Sequence, residues 1–168
     1  MKLKAEFYES HADILAPKLL GKYLCVNKDG VIKKYMITET EAYCGSEDTA
    51  CHAHRGKTKR NAVMYEKGGV AYVYLCYGIH SLLNVVCGEK DYPEAVLIRG
   101  VKGFNGPGKL TKELGIDLSY NNESLIGERL FILDDKNDIK YITAKRVGID
   151  YATDYYKNIK WRFILKEE

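Results

Sequence analysis

The stretch Lys22–Tyr43, KYLCVNKDGVIKKYMITETEAY, holds two strand-like runs on either side of Lys28-Asp29-Gly30. Asp-Gly between such runs is a strong hairpin signal, because the tight turn that joins twisted strands needs positive φ at its centre. An antiparallel pair therefore anchors the reading of the fold. In its second strand Glu39, Glu41 and Tyr43 share one face, since side chains alternate along an extended chain. Two carboxylates at this spacing suit acid–base chemistry, and they equally suit an ordinary solvated strand face.

Further strands flank this pair. The segment VAYVYLCYGIHSLLNVV (70–86) reads as strands at about 70–76 and 81–87, meeting at Tyr77-Gly78. EAVLIRGV (94–101) is another strand, and IKWRFIL (159–165) is the last. ERLFILDDKNDIKYITAKRVGI (128–149) predicts a strand pair around Lys136-Asn137-Asp138. Helices are few. Asp13 is expected to cap a short one reaching Leu20, with Pro17 near its first turn and Gly21 as its stop. GPGKLTKELGI (106–116) opens on Gly-Pro-Gly and ends a second helix at Gly115. Strands outnumber helices and hairpins dominate. The expected fold is mixed α/β (α+β). It is a single compact domain over residues 1–168, with a curved, largely antiparallel sheet, short flanking helices and a protruding β-hairpin.

A chain of 168 residues with 46% hydrophobic and 29% charged content can bury a core and does not read as disordered. No apolar run approaches 18 residues and no basic-then-apolar leader is present, so neither a membrane span nor a secretory signal is expected. Cysteines 25, 44, 51, 76 and 87 form no C-x-x-C pair. Free thiols in a reducing cytoplasm are the expected state. The net charge of +3 is a weak lean toward anionic partners. Fourteen tyrosines against four phenylalanines carry more information, because tyrosine joins a flat apolar face to a polar handle that suits interfaces as well as cores.

The polar segment CGSEDTACHAHRGKTKRN (44–61) is long for a loop in a small domain, and such loops are often functional. Its C-x6-C-H-x-H spacing matches none of the usual zinc patterns, and a pocket histidine is the better reading of His52 or His54. Arg55, Lys57, Lys59 and Arg60, with Thr58 among them, suit phosphate oxygens; a solvated basic loop reads equally well. Tyr72 and Tyr74 at period two fit cross-strand packing. Tyr77 does not, because a hairpin tip offers little to pack against; an aromatic wedge there suits insertion between base pairs. Arg99 amid aliphatic residues is either turned outward or paired. GPGKL reads as a helix start that also offers an anion site. A carboxylate, stacking aromatics, a basic loop and a wedge together suit an enzyme that extrudes a nucleotide and acts on its base.

The sequence resembles the methylpurine (3-methyladenine, alkyladenine) DNA glycosylase family. The resemblance rests on LLGKYL, ITETEAYCGSEDTACHAHRGKTKRNAVMY, YVYLCYGIHSLLNVV, AVLIRGV, GPGKLTKELGI and RVGI in family order, with WRF near the end. It implies that Glu41 is the general base that activates water against the sugar C1′, with Arg99 beside it. It implies that Tyr43 and Tyr74 stack on the two sides of a flipped base and that His52 contacts it. Asn84 would disfavour the exocyclic amine of guanine, and Tyr77 would fill the space vacated in the minor groove. The implied substrates are 3-methyladenine, ethenoadenine and hypoxanthine in double-stranded DNA, with an abasic site as product. Stacking a cationic alkylpurine between two tyrosines adds cation–π attraction that a normal base lacks. Arg99 is expected to help hold the Glu41 pKa down. No lysine stands near TETEAY as an amine nucleophile, so a monofunctional hydrolase without metal or cofactor is expected. Lys59 occupies a place where the family pattern has proline, which softens that loop and adds a charge. With no extension before the first matching block, a minimal bacterial-type enzyme is expected, cytoplasmic and monomeric. Two other readings remain open at this stage. One is a metal-dependent hydrolase using Glu39, Glu41, His52 and His54. The other is a non-catalytic nucleic-acid-binding module built on the tyrosines.

Overall fold

The computed structural model describes residues 1–136 and 138–167. The predicted hairpin is strands β1 (Tyr23–Lys28) and β2 (Val31–Cys44). Its turn residues Asp29 and Gly30 have φ of 54° and 86°, the pair of positive angles that Asp-Gly supplies cheaply. β2 is long enough to serve different neighbours at its two ends. Up to Met36 it pairs with β1, and from Ile37 onward it pairs with β5 (Glu94–Val101). Over Glu39–Glu41 its other edge is covered by β9 (Arg162–Leu165). The strands β3 (Ala71–Cys76) and β4 (His80–Val86) form the second hairpin, and β4 joins β5. β6 (Phe104–Asn105) folds back on β5, β7 (Leu130–Leu133) flanks β1, and β8 (Tyr141–Ala144) flanks β9. The main path runs β3-β4-β5-β2-β1-β7 with every pairing antiparallel. The accumulated twist of the strands curls the sheet into a half-barrel within an α+β domain, as expected.

Alternation along these strands separates two faces. Val73, Leu83, Val85, Val96 and Ile98 join the main core. The helices α1 (Ala12–Leu19) and α2 (Pro107–Leu114) cover it with Leu15, Leu19, Leu110 and Leu114. Each fully buried leucine there is worth about 1.5–3 kcal/mol of transfer free energy. The Thr40 hydroxyl donates to the Ala16 carbonyl at 2.9 Å and fastens α1 to β2. The opposite face is left to the cleft described below. α2 ends at Gly115, whose φ of 69° is the left-handed conformation that stops a helix. A third short helix, α3 (Asp154–Asn158), precedes β9.

Two expectations are corrected. Asp13 does not cap α1; the N-cap is His11, and Asp13 and Pro17 lie within the helix. The free N–H of Ala12 is satisfied instead by the buried Glu94 carboxylate at 3.1 Å, which also accepts from His11 Nδ1 at 2.9 Å. This cap comes from β5, so nothing local in the sequence announces it. The strands in 128–149 exist but do not pair with each other: β7 joins β1 and β8 joins β9. Of the turn expected between them, Asn137 lies outside the described residues.

Candidate active site

The bare face of the sheet forms one wall of a cleft of about 700 Å³. Its lining includes Glu41 and Tyr43 from β2, Tyr72 and Tyr74 from β3, Asn84 from β4, and Leu97 and Arg99 from β5. The loop after β2 adds His52, and the segment 147–151 adds Val147, Ile149 and Tyr151. The start of α2 brings Gly106 to Lys109 to the rim, and Tyr77 and His80 stand at the hairpin end. Glu41, Tyr43, His52, Tyr74, Tyr77, Asn84 and Arg99 thus share one space, although they span 59 positions of the chain.

Glu41 has no exposed surface. Its Oε1 accepts from the Tyr43 hydroxyl at 2.9 Å, and its Oε2 accepts from the Val147 N–H at 2.7 Å. Arg99 Nη1 is 4.0 Å from Oε1. A bulge puts Arg99 there: Glu39 faces Gly100 and Thr40 faces Ile98, which leaves Arg99 unpaired in the ladder. Its Nε donates to Glu39 Oε2 at 2.9 Å, and Arg162 holds the same oxygen at 3.4 Å. The first carboxylate of TETEAY, Glu39, therefore fixes the arginine that faces the second, Glu41.

Burial raises the Glu41 carboxyl above the ordinary glutamate value. The Val147 N–H, Arg99, the Tyr43 hydroxyl and Arg146 each act to lower it, and desolvation outweighs them. Arg99 lowers this pKa as expected; burial, which the sequence could not weigh, outweighs it. Such a carboxylate, once ionised, is a stronger base than a solvated one, which suits a general base.

The aromatic wall is uncharged. Burial pushes Tyr72 up to about 12 and raises Tyr43 and Tyr74 further. Tyr72, read from the sequence as structural, is 2% exposed, and its hydroxyl lies 3.1 Å from His52 Nδ1. The His52 ring stands edge-on to Tyr74 with centroids 4.4 Å apart. Desolvation and then Arg60 lower its pKa, so the imidazole is neutral at pH 7. Asn84 is buried and donates to the Tyr72 carbonyl at 3.2 Å.

The basic loop lies beside the cleft. Arg55, Lys57, Lys59 and Arg60 are exposed, but Arg60 also donates to the Leu75 carbonyl at 2.9 Å and lies over the Tyr74 ring. Thr58 and Asn61 bond each other reciprocally, at 2.7 and 3.2 Å. Asn61 then donates to the carbonyls of His52 and Gly56, which pins the loop. Tyr77 is 93% exposed, with φ of 54° beside Gly78 at 67°. An aromatic residue in the left-handed region costs about 1–2 kcal/mol and gains no packing here.

The sequence reading overlooked Asp48, Asn61, Arg146, Val147 and Tyr151. RVGI carried the signal for two of them, but only as a block of resemblance. It also found no lysine near TETEAY, whereas Lys109 lines the same cleft from 68 positions away. Among the described residues, no group of three or more His, Cys, Asp or Glu side chains could hold a metal ion. His52 faces Tyr72 while His54 Nδ1 bonds the Ser46 carbonyl at 2.8 Å, so the two histidines do not converge. All five cysteines are free.

The family profile of methylpurine-DNA glycosylase (MPG) matches residues 6–105 and 102–168. The chain belongs to the methylpurine-DNA glycosylase family. It is accordingly a DNA glycosylase, a hydrolase of DNA repair. Three curated relatives bear the name "Putative 3-methyladenine DNA glycosylase". The protein from Chlamydia pneumoniae is 42% identical over 189 residues, covering 99% of this chain and 96% of its own. That from Natranaerobius thermophilus is 41% identical over 192 residues, with 99% and 96% covered. That from Borrelia garinii is 42% identical over 177 residues, with 96% and 94% covered. In this methylpurine-DNA glycosylase chain no helix among the described residues is long and apolar enough to cross a membrane.

Proposed function

We propose that this glycosylase extrudes alkylated or deaminated purines, among them 3-methyladenine, ethenoadenine and hypoxanthine, from duplex DNA and hydrolyses their N-glycosidic bond. The observation that carries the reading is a fully buried, twice hydrogen-bonded carboxylate in a cleft walled by neutral aromatic rings. In this scheme a water held by Glu41 and Arg99 attacks C1′. Its proton passes to the Glu41 carboxylate while the bonding pair leaves with the base. A cationic 3-methyladenine departs neutral. For hypoxanthine, which must gain a proton, the neutral His52 is an unsuitable donor, and solvent supplies it. Tyr43 and Tyr74 stack on the base, and an alkylated cation gains the most from two aromatic faces. Asn84 restricts the purine edge, Tyr77 occupies the gap left in the stack, and Arg55, Lys57, Thr58, Lys59 and Arg60 grip phosphates. In this reading the protein acts on DNA as a cytoplasmic monomer, and every residue of the scheme lies in one chain, so the site needs no second copy to complete it.

The test uses lesion-bearing duplexes in EDTA, split into samples with and without alkali. Strand breaks that appear only after alkali are expected, because an abasic site is the product. Breaks without alkali would indicate a nuclease or an amine nucleophile such as Lys109, and borohydride trapping distinguishes these. Binding without release would leave only a nucleic-acid-binding module.

A further inference from the structure

We propose that Arg146, which does not line the cleft, is a positioning residue that sets both Glu41 and Tyr43 for reaction. The inference rests on the proposed Glu41–water chemistry. The Arg146 side chain is wholly buried. All four of its Nη hydrogens are engaged: two on Asp48 at 2.6 and 3.0 Å, one on the Ala42 carbonyl at 3.0 Å and one on the Tyr156 carbonyl at 3.1 Å. The guanidinium lies over the rings of Tyr43 and Trp161, 4.9 and 5.0 Å from their centroids.

Ala42 is the residue between Glu41 and Tyr43. β9 covers the edge of β2 only as far as Glu41, and beyond it the Ala42 N–H is taken by the Trp161 carbonyl. The Ala42 carbonyl is finished by Arg146 in place of a neighbouring strand. The guanidinium also lies over one face of Tyr43, a ring that lines the cleft while Arg146 does not. The peptide that follows Arg146 supplies the Val147 N–H to Glu41 Oε2. Asp48 in turn accepts the N–H groups of Cys44 and Ala50, so the clamp is tied to the loop that carries His52. One buried cation thus joins the strand bearing the base, the ring of the pocket and the hydrogen bond that fixes the carboxylate. A planar fork with four Nη hydrogens is required for this, the buried Nε–H having no partner, and lysine cannot reproduce it.

Arg146→Lys keeps the charge and loses the fork. Single-turnover excision at saturating enzyme is expected to fall by about tenfold or more, since small misplacements of reacting groups are costly. DNA affinity should stay within about threefold, because Arg146 meets no phosphate. The acid limb of the pH–rate profile should move to higher pH as the Val147 N–H leaves the carboxylate. Leu130→Ala, a core change in β7, serves as a control for lost stability and should leave that limb unmoved. If Arg146→Lys fails to fold, Asp48→Asn gives a milder form of the test: the guanidinium keeps both carbonyls but loses the carboxylate that orients it, and the rate and the acid limb should move in the same directions by less. An unmoved acid limb, with a rate loss no greater than in Leu130→Ala, overturns the inference. If the wild-type protein releases no base, both readings fall; if it releases base and the Arg146 variant matches it, this one falls alone.

Discussion

Tyr77→Ser separates recognition from folding. The ring is 93% exposed, so its removal uncovers little apolar surface. A residual burial on the order of 10–20 Å², at about 25 cal/mol/Å², is worth less than about 0.5 kcal/mol. Serine carries the same Cβ penalty at φ of 54° and brings no relief. A domain of this length shifts its Tm by about 2–4 °C per kcal/mol, so the variant should melt within about 2 °C of the wild type. On DNA the ring matters more. Inserted between bases it could bury about 150–250 Å², a ceiling of about 4–6 kcal/mol, from which unstacking takes a few. A net loss of about 1–3 kcal/mol, matching base–aromatic stacking, corresponds to roughly 5- to 150-fold in lesion excision. The assay pairs thermal melting with single-turnover excision from duplex and single-stranded substrates. Only the duplex has a gap to fill, so its rate should fall far more. A drop in Tm beyond about 5 °C, or equal losses on both substrates, would refute the wedge and return Tyr77 to a structural role.

Glu41→Gln should abolish excision and keep DNA binding, because the amide can accept from Val147 and donate to the Tyr43 oxygen. It should also gain stability relative to wild type as pH rises. A carboxyl whose folded pKa is raised contributes its stability below the unfolded value and loses it as pH climbs through the folded one. Urea melts at pH 4 and pH 7 check the sign, and a variant that loses stability relative to wild type over that range contradicts it. The acid limb of wild-type excision is expected above the ordinary glutamate range, and a limb at or below that range would contradict the raised Glu41 pKa. Asp48→Ala leaves a buried guanidinium uncompensated and should cost about 3–5 kcal/mol in a denaturant titration. Replacing Lys57 and Lys59 by serine should reduce the salt slope of duplex binding by up to about 2, and an unchanged slope removes both from the phosphate footprint.

Local chemistry carried much of the fold. Asp29-Gly30, Gly115 and the alternation in β2 through β5 were readable because each depends on residues a few positions apart. The partners of β7 and β8 were not, since a strand's sequence does not say which distant edge it joins. The Ala12 cap stayed hidden for the same reason, being made by Glu94 across the sheet. In the site, the carboxylates, tyrosines and His52 could be placed by pattern and resemblance. The bulge that frees Arg99 could not, because it is a property of a two-strand ladder. Arg146 entered only as part of the RVGI block, and its importance comes from burial that no neighbouring residue signals.

The Thr40 hydroxyl bonded to Ala16 has a consequence for how the enzyme fails. Thr40 lies between Glu39 and Glu41 on the strand, so the tie to α1 fixes which of these side chains looks into the cleft. A slip of one residue would carry the carboxylate into the oily layer under α1 and bring Thr40 out. No partly melted form can hold the base in place once that bond opens. Heat should therefore silence the enzyme at or below the temperature at which the fold melts, never above it.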